Sequence, residues 1–318
     1  MKLPPHLPIK YGFPTNGQES LPPTVPDDAQ DVGHFFKSFD ARLWMFYRHW
    51  EPKTDGEIKA TLMIVHGTVD HSGVYAELAR ALNQHGIAVI AMDMRGWGYS
   101  DGESMYYHDT QTFVEDVHTL YTRIHDHPRY RTIKPRFLLG KSLGGLVTAY
   151  AIQHYPSLWT GLLGLSGAYA LDAHMKPSPL AVSALSILGM CLPKLPIKPL
   201  FDEDCIVADK QALRQWRDDK LCCKDRLRIG YGIEILRATD ELPRKLKRKP
   251  LNISMLMMIG SEDVVVSQRG HQLMVDLNVS SDKELKVYPL GRHNLLQEPT
   301  LKEWVMTDIV HWIMARSK

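Results

Sequence analysis

Ser142 stands in the run Gly140-Lys141-Ser142-Leu143-Gly144, directly after the apolar triplet Phe137-Leu138-Leu139 and directly before a stretch with helical spacing. A serine hydroxyl attacks a carbonyl efficiently when a sharp strand-to-helix turn presents it, and Gly140 and Gly144 fall where a Cβ would collide with neighbouring chain. Gly145 lets the helix pack closely. Alone, the five letters also describe a glycine-rich helix start. The strand before them and the helix after them, whose positive end stabilises an oxyanion, make the nucleophile the stronger reading.

A serine nucleophile needs two N–H groups for the developing oxyanion, a base to take its proton, and an acid to orient the base. The residue after the nucleophile, Leu143, normally supplies one N–H. The other is expected from Thr68, because the apolar run 61–65 leads straight into His66-Gly67-Thr68. His66 invites reading as a base, but a histidine at a strand end more often holds its own loop, so it and Gly67 are read as motif support.

The order Ser, acid, His sends the search downstream. The apolar run 255–259 ends in Gly260-Ser261-Glu262-Asp263, which makes Asp263 the expected acid and Glu262 the alternative. The run 285–288 is followed by Gly291-Arg292-His293, so His293 is the expected base; His271 and His311 lie within helical stretches and read as packing or surface residues. Asp93 and Arg95, in a glycine-rich turn near the same site, are read as holding loops together.

These residues require a scaffold that gathers loops at one edge of a sheet. Short apolar runs at 61–65, 88–92, 137–139, 162–165, 255–259 and 285–288 alternate with helical stretches at 74–84, 112–124, 143–155, 268–277 and 301–314. That rhythm predicts an α/β fold, a mostly parallel central sheet flanked by helices. Residues 33–50 read as an antiparallel hairpin. The core is assigned to 31–168 and 251–318, and 169–250, without strand signal, to a helical cap or lid insertion. Residues 1–30 contain seven prolines and read as an extended or disordered arm.

With 318 residues, one large core and an insertion fit the length. A balance of 38 basic and 36 acidic side chains gives no field that would gather nucleic acid. The N-terminal region lacks a continuous apolar signal core, so a cytoplasmic location is expected. Cys191, Cys205, Cys222 and Cys223 show no metal-ligand spacing and are expected to be reduced thiols. The serine chemistry requires neither a metal nor an organic cofactor.

Taken together, His66-Gly67-Thr68 with His71-Ser72-Gly73, the run from Arg95 to Gly102, the Ser142 elbow, Gly260-Ser261-Glu262-Asp263 and Gly291-Arg292-His293 resemble the monoacylglycerol lipase and lysophospholipase-like branch of the α/β-hydrolases. The resemblance implies an α/β-hydrolase fold, nucleophile Ser142, acid Asp263, base His293 and oxyanion donors Thr68 and Leu143. It also implies a single-chain lipid ester as substrate and a lid over an apolar acyl tunnel. Two positions depart from the family pattern: Lys141 where histidine often stands, and Thr68 where a small residue is usual.

Carboxylesterase, thioesterase or acyltransferase action on the same triad is the alternative, and a non-catalytic ligand receptor on a hydrolase scaffold is the rival of another class. The apolar stretch 180–192 is too short to span a bilayer and reads either as an interfacial docking helix or as a buried lid helix. The basic run 244–249 reads as a solvated face, with contact to anionic lipid headgroups as the alternative.

Overall fold

The computed structural model describes residues 21–53, 57–107, 109–197 and 203–317. Eight strands form one sheet in the order β1-β2-β4-β3-β5-β6-β7-β8. They are β1 (Gly33–Lys37), β2 (Trp44–Trp50), β3 (Ala60–Val65), β4 (Ile87–Met92), β5 (Arg136–Lys141), β6 (Gly161–Leu165), β7 (Ser254–Gly260) and β8 (Lys283–Tyr288). β1 and β2 form the expected hairpin, β2 also runs antiparallel to β4, and all later pairings are parallel.

Why the central strands are uniformly apolar follows from the layers on both sides. Along β3, Leu62 and Ile64 face one layer with Leu78 and Leu82 of α1 (Ala76–Asn83) and Val305, Ile309 and Trp312 of α8 (Lys302–Ala315). Met63 and Val65 face the other layer, with Phe113 and Val117 of α2 (Thr110–His125), Leu146 and Val147 of α3 (Leu143–His154) and Met274 of α7 (Gln268–Asp276). Each such side chain contributes about 1.5–3 kcal/mol on full burial. β8 is the edge strand, and its Lys283-Glu284-Leu285-Lys286-Val287-Tyr288 reaches full burial only at Tyr288.

Between β6 and β7 the described residues contain helices and turns: α4 (Pro179–Cys191), α5 (Lys210–Asp218) and α6 (Ile229–Arg248). α5 and α6 are amphipathic, burying Leu213 and Trp216, and Tyr231, Ile235, Ala238, Leu242 and Leu246. α4 buries none of its residues, which removes the buried-lid-helix alternative; its Leu180, Ile187 and Met190 are 81%, 66% and 77% exposed. Arg244, Lys247, Arg248 and Lys249 are exposed at the end of α6, as a solvated face requires.

Of the proline-rich arm, residues 1–20 lie outside the described residues. Its final part is packed rather than free: Asp27–Ala29 forms a helical turn, Ala29 is buried, and Asp28 accepts from Arg48 at 3.0 Å and from the Tyr99 hydroxyl at 2.7 Å. Arg48 is itself buried on β2, so its guanidinium needs a carboxylate and the chain supplies one here.

Candidate active site

The carboxyl ends of β3, β5, β6, β7 and β8 lie side by side, and loops leaving β3, β5, β7 and β8 meet above the sheet. Ser142 follows β5 and caps α3 with φ 52° and ψ −120°, a left-handed strain that L residues other than glycine rarely accept. Four backbone bonds hold it: Ser142 N–H donates to the Leu165 carbonyl at 3.1 Å, while its own carbonyl accepts from Gly145 at 2.9 Å, Leu146 at 3.4 Å and Ala168 at 2.8 Å. The elbow's glycines are sterically required. A Cβ on Gly144 would lie 2.0 Å from the Val65 carbonyl oxygen, and one on Gly140 would lie 2.3 Å from Thr148 Oγ1.

His293, in the loop after β8, places Nε2 2.9 Å from Ser142 Oγ and Nδ1 2.9 Å from Asp263 Oδ2. An ionised carboxylate only accepts, so Nδ1 carries the proton and Nε2 is left to accept from the serine hydroxyl. Burial raises the Asp263 carboxyl, but His293 and the N–H donors of Val265 and Val266 outweigh it and hold the group below its ordinary value. Glu262, the alternative acid, lies outside this chain of bonds and is exposed.

Thr68 and Leu143 line the same cavity as Ser142. Leu143 is the first residue of α3, where backbone N–H groups lack intrahelical partners. The Thr68 loop is held on several sides. Trp97 Nε1 donates to the Thr68 carbonyl, the Thr68 hydroxyl bonds the Tyr231 hydroxyl of α6, and Trp216 Nε1 of α5 donates to the Val69 carbonyl at 3.1 Å. Neither tyrosine nor tryptophan could be picked out from sequence, because Tyr231 lies 163 positions and Trp216 147 positions from their partners.

His66 plays the loop-holding part: Nε2 accepts from Met94 N–H at 3.0 Å, which leaves Nδ1 to donate to the Gly67 carbonyl at 2.6 Å. Burial pushes its pKa down, keeping the ring neutral. Asp93 accepts from the N–H groups of Ser72 at 2.6 Å and Tyr99 at 2.8 Å, and Arg95 pairs with Asp116 at 2.7 Å. His271 is a buried packing residue whose Nε2 accepts from Gly167 N–H at 2.9 Å.

All four cysteines are free thiols. Among the described residues, one set of metal-ligating types comes together: His71, Asp219 and Cys222, with donor atoms within 4.8 Å of one another. Its geometry is that of a hydrogen bond. His71 Nδ1 accepts from Gly73 N–H at 3.1 Å, so the ring proton sits on Nε2 and faces Asp219 Oδ2 at 3.0 Å. Burial pushes the Cys222 thiol far up, which disfavours the thiolate a metal would need.

The cavity above Ser142 has a volume of about 980 Å³. Its walls are mostly aliphatic, with Leu171, Val182, Leu185, Ile197, Ile233 and Leu236 from the insertion and its hinge. Residues 56–300 match Hydrolase_4, the serine aminopeptidase S33 family.

The chain belongs to the Hydrolase_4 family. It is an enzyme of the serine carboxylic ester hydrolase kind with an α/β-hydrolase fold. This Hydrolase_4 chain is 32% identical over 271 residues to a monoacylglycerol lipase of Mycolicibacterium smegmatis, covering 85% of this chain and 92% of that one. It is 31% identical over 304 residues to the Homo sapiens monoglyceride lipase, covering 94% and 96%. In three dimensions it superposes on a soluble variant of the Saccharomyces cerevisiae monoglyceride lipase, solved with a substrate analogue, with a TM-score of 0.79 at 18% identity over 97% of this chain and 100% of that one. Among the described residues no helix is long and apolar enough to cross a membrane.

Proposed function

We propose that this Hydrolase_4 enzyme is a monoacylglycerol lipase, with lysophospholipids as the neighbouring substrate class. The observation that carries the reading is the unbroken chain Asp263, His293, Ser142, with both contacts at 2.9 Å, opening on a 980 Å³ aliphatic cavity. An acyl chain fits such walls, and the relatives at about 30% identity bear the name of that lipase.

In the proposed cycle His293 Nε2 takes the proton of Ser142 as Oγ attacks the ester carbonyl, and the Thr68 and Leu143 N–H groups hold the oxyanion. Collapse expels the glycerol oxygen, which takes the proton from His293 and leaves an acyl-serine. Water, deprotonated by the same histidine, then releases the fatty acid and restores Ser142. Asp263 keeps the imidazole in the tautomer this requires.

The insertion, residues 169–250, acts in this reading as a cap, and its charge-free α4 docks as a peripheral helix on a lipid surface, where such substrates reside. The test compares purified wild type with Ser142→Ala on a monoacylglycerol, a lysophospholipid and a phenolic ester, quantifying released fatty acid. The monoacylglycerol should give the highest kcat/KM, and Ser142→Ala should lose roughly 10⁴-fold or more. Full activity in Ser142→Ala overturns the mechanism, and preference for the phenolic ester overturns the substrate class.

A further inference from the structure

Lys141 immediately precedes the serine, yet its ammonium group is buried rather than solvated. Its side chain is 5% exposed, and Nζ donates to Asp70 Oδ2 at 2.6 Å and to Asn294 Oδ1. Asp70 is equally buried, at 3%. The three groups come from three different loops: Lys141 ends β5 beside the nucleophile, Asp70 lies two residues past Thr68, and Asn294 follows His293. The lysine stem reaches Asp70 across Gly67, where a Cβ would meet Lys141 Cδ at 3.0 Å and Ser142 Cβ at 2.9 Å.

We propose that Lys141 is a positioning residue that locks the elbow, the oxyanion loop and the base loop into one register while neutralising the Asp70 carboxylate behind His293. The proposal rests on the hydrolase reading above. A long cation is suited to this task because its three N–H donors can serve two loops at once, and its own backbone fixes the third. Asn294 extends the tie, donating from Nδ2 to Gln297 Oε1 at 2.7 Å and from its backbone N–H to the Ile206 carbonyl at 2.8 Å.

The electrostatic half is separable from the mechanical half. Burial raises the Asp70 carboxyl, but Lys141 outweighs it and, together with His66 and His293, keeps the group ionised. Charged or titratable groups that act on His293 include Asp263 after β7, Asp70 after β3 and His271 on α7, with Lys141 of β5 paired to Asp70. Without Lys141, burial draws Asp70 toward its neutral form, and whatever part of it stays ionised is no longer cancelled and favours the imidazolium form of His293.

Three proteins decide the matter: wild type, Lys141→Met, and the double variant Asp70→Asn with Lys141→Met. Each is measured for kcat, KM, the pH dependence of kcat/KM on a soluble ester, and the rate of fluorophosphonate labelling. Lys141→Met should lower kcat about ten- to hundredfold, the scale of a small misplacement of reacting groups, with KM changed less than about twofold. Its acid limb should move up, not down. The double variant removes both charges, so its acid limb should return to the wild-type position while kcat stays low for want of the Asn294 tie.

Wild-type kcat in either variant overturns the positioning role, and an acid limb in the double variant still displaced as in the single one overturns the charge role. Should Lys141→Met fail to fold, the double variant, which leaves no orphan charge, still decides the positioning role through kcat, and an acid limb displaced from the wild-type position in it overturns the charge role. Absence of labelling in the wild type would instead overturn the hydrolase reading itself.

Discussion

The hydroxyl pair between Thr68 and Tyr231 offers a quantitative test of whether the insertion helps hold the oxyanion loop. Both side chains are buried, and each hydroxyl faces the other. Tyr231→Phe leaves the Thr68 hydroxyl buried without its partner, which costs about 1–3 kcal/mol. Thr68→Val leaves the Tyr231 hydroxyl in the same position at a similar cost while keeping the backbone N–H. Removing both hydroxyls leaves no orphan, so the double variant should be hardly less stable than either single one, a coupling of about 1–3 kcal/mol.

In a chain of this length 1 kcal/mol corresponds to roughly 2 °C, so each single variant should melt about 2–6 °C below wild type by differential scanning calorimetry. The functional half of the test is kinetic. Loss of a whole oxyanion donor costs about 10²–10³ in kcat, and a donor that is merely loosened should cost about tenfold with KM little changed. Additive losses of stability in the double variant would refute the bond, and unchanged kcat in Tyr231→Phe would refute its part in aiming Thr68.

Two further predictions concern pH and lipid. His49, His125 and His271 are each pushed down to about 4 by burial, so the folded state favours their neutral forms. The unfolded chain binds more protons below about pH 6.5, so stability is full above that value and is lost as pH falls toward 4; a melting temperature constant between pH 7 and 4.5 would contradict this. Replacing exposed Leu180 and Met190 of α4 by Asp should weaken cosedimentation with zwitterionic phospholipid vesicles at least tenfold, leaving turnover of a soluble short-chain ester within about twofold. Equal binding by the variant and wild type would rule out docking through α4.

Most of the sheet was readable because a parallel strand covered on both faces has no polar side, and runs such as Ile87–Met92 therefore stand out as unbroken apolar text. Ser142, Asp263 and His293, which the structure joins in one hydrogen-bonded chain, were proposed for a related reason: each lies in a loop shortly after a strand, so locating the strands located the loops, although β8 before His293 is a mixed edge strand. Pairings across long chain separations left no such trace. Lys141 meets Asp70 across 71 positions and Thr68 meets Tyr231 across 163, and no local periodicity encodes a partner that distant. The 27–29 turn was missed because it is held by Asp28 on Arg48 and Tyr99, a polar anchor in a segment whose prolines suggested none. The helix at α4 was foreseen in extent, whereas its exposure depended on what the rest of the insertion covers.

The insertion bonds the loops around Ser142 and His293 at many points, four of them being Tyr231 on Thr68, Trp216 on Val69, Asp219 on His71, and the Ile206 carbonyl on the Asn294 N–H. Grafting in the corresponding segment of a relative would sever all four at once. Substrate range in this enzyme therefore cannot be exchanged as a cassette. A transplanted segment would have to travel with the stretch from Thr68 to His71 and with Asn294, and drift in the cavity walls is expected to be slow wherever those four partner positions are constrained together.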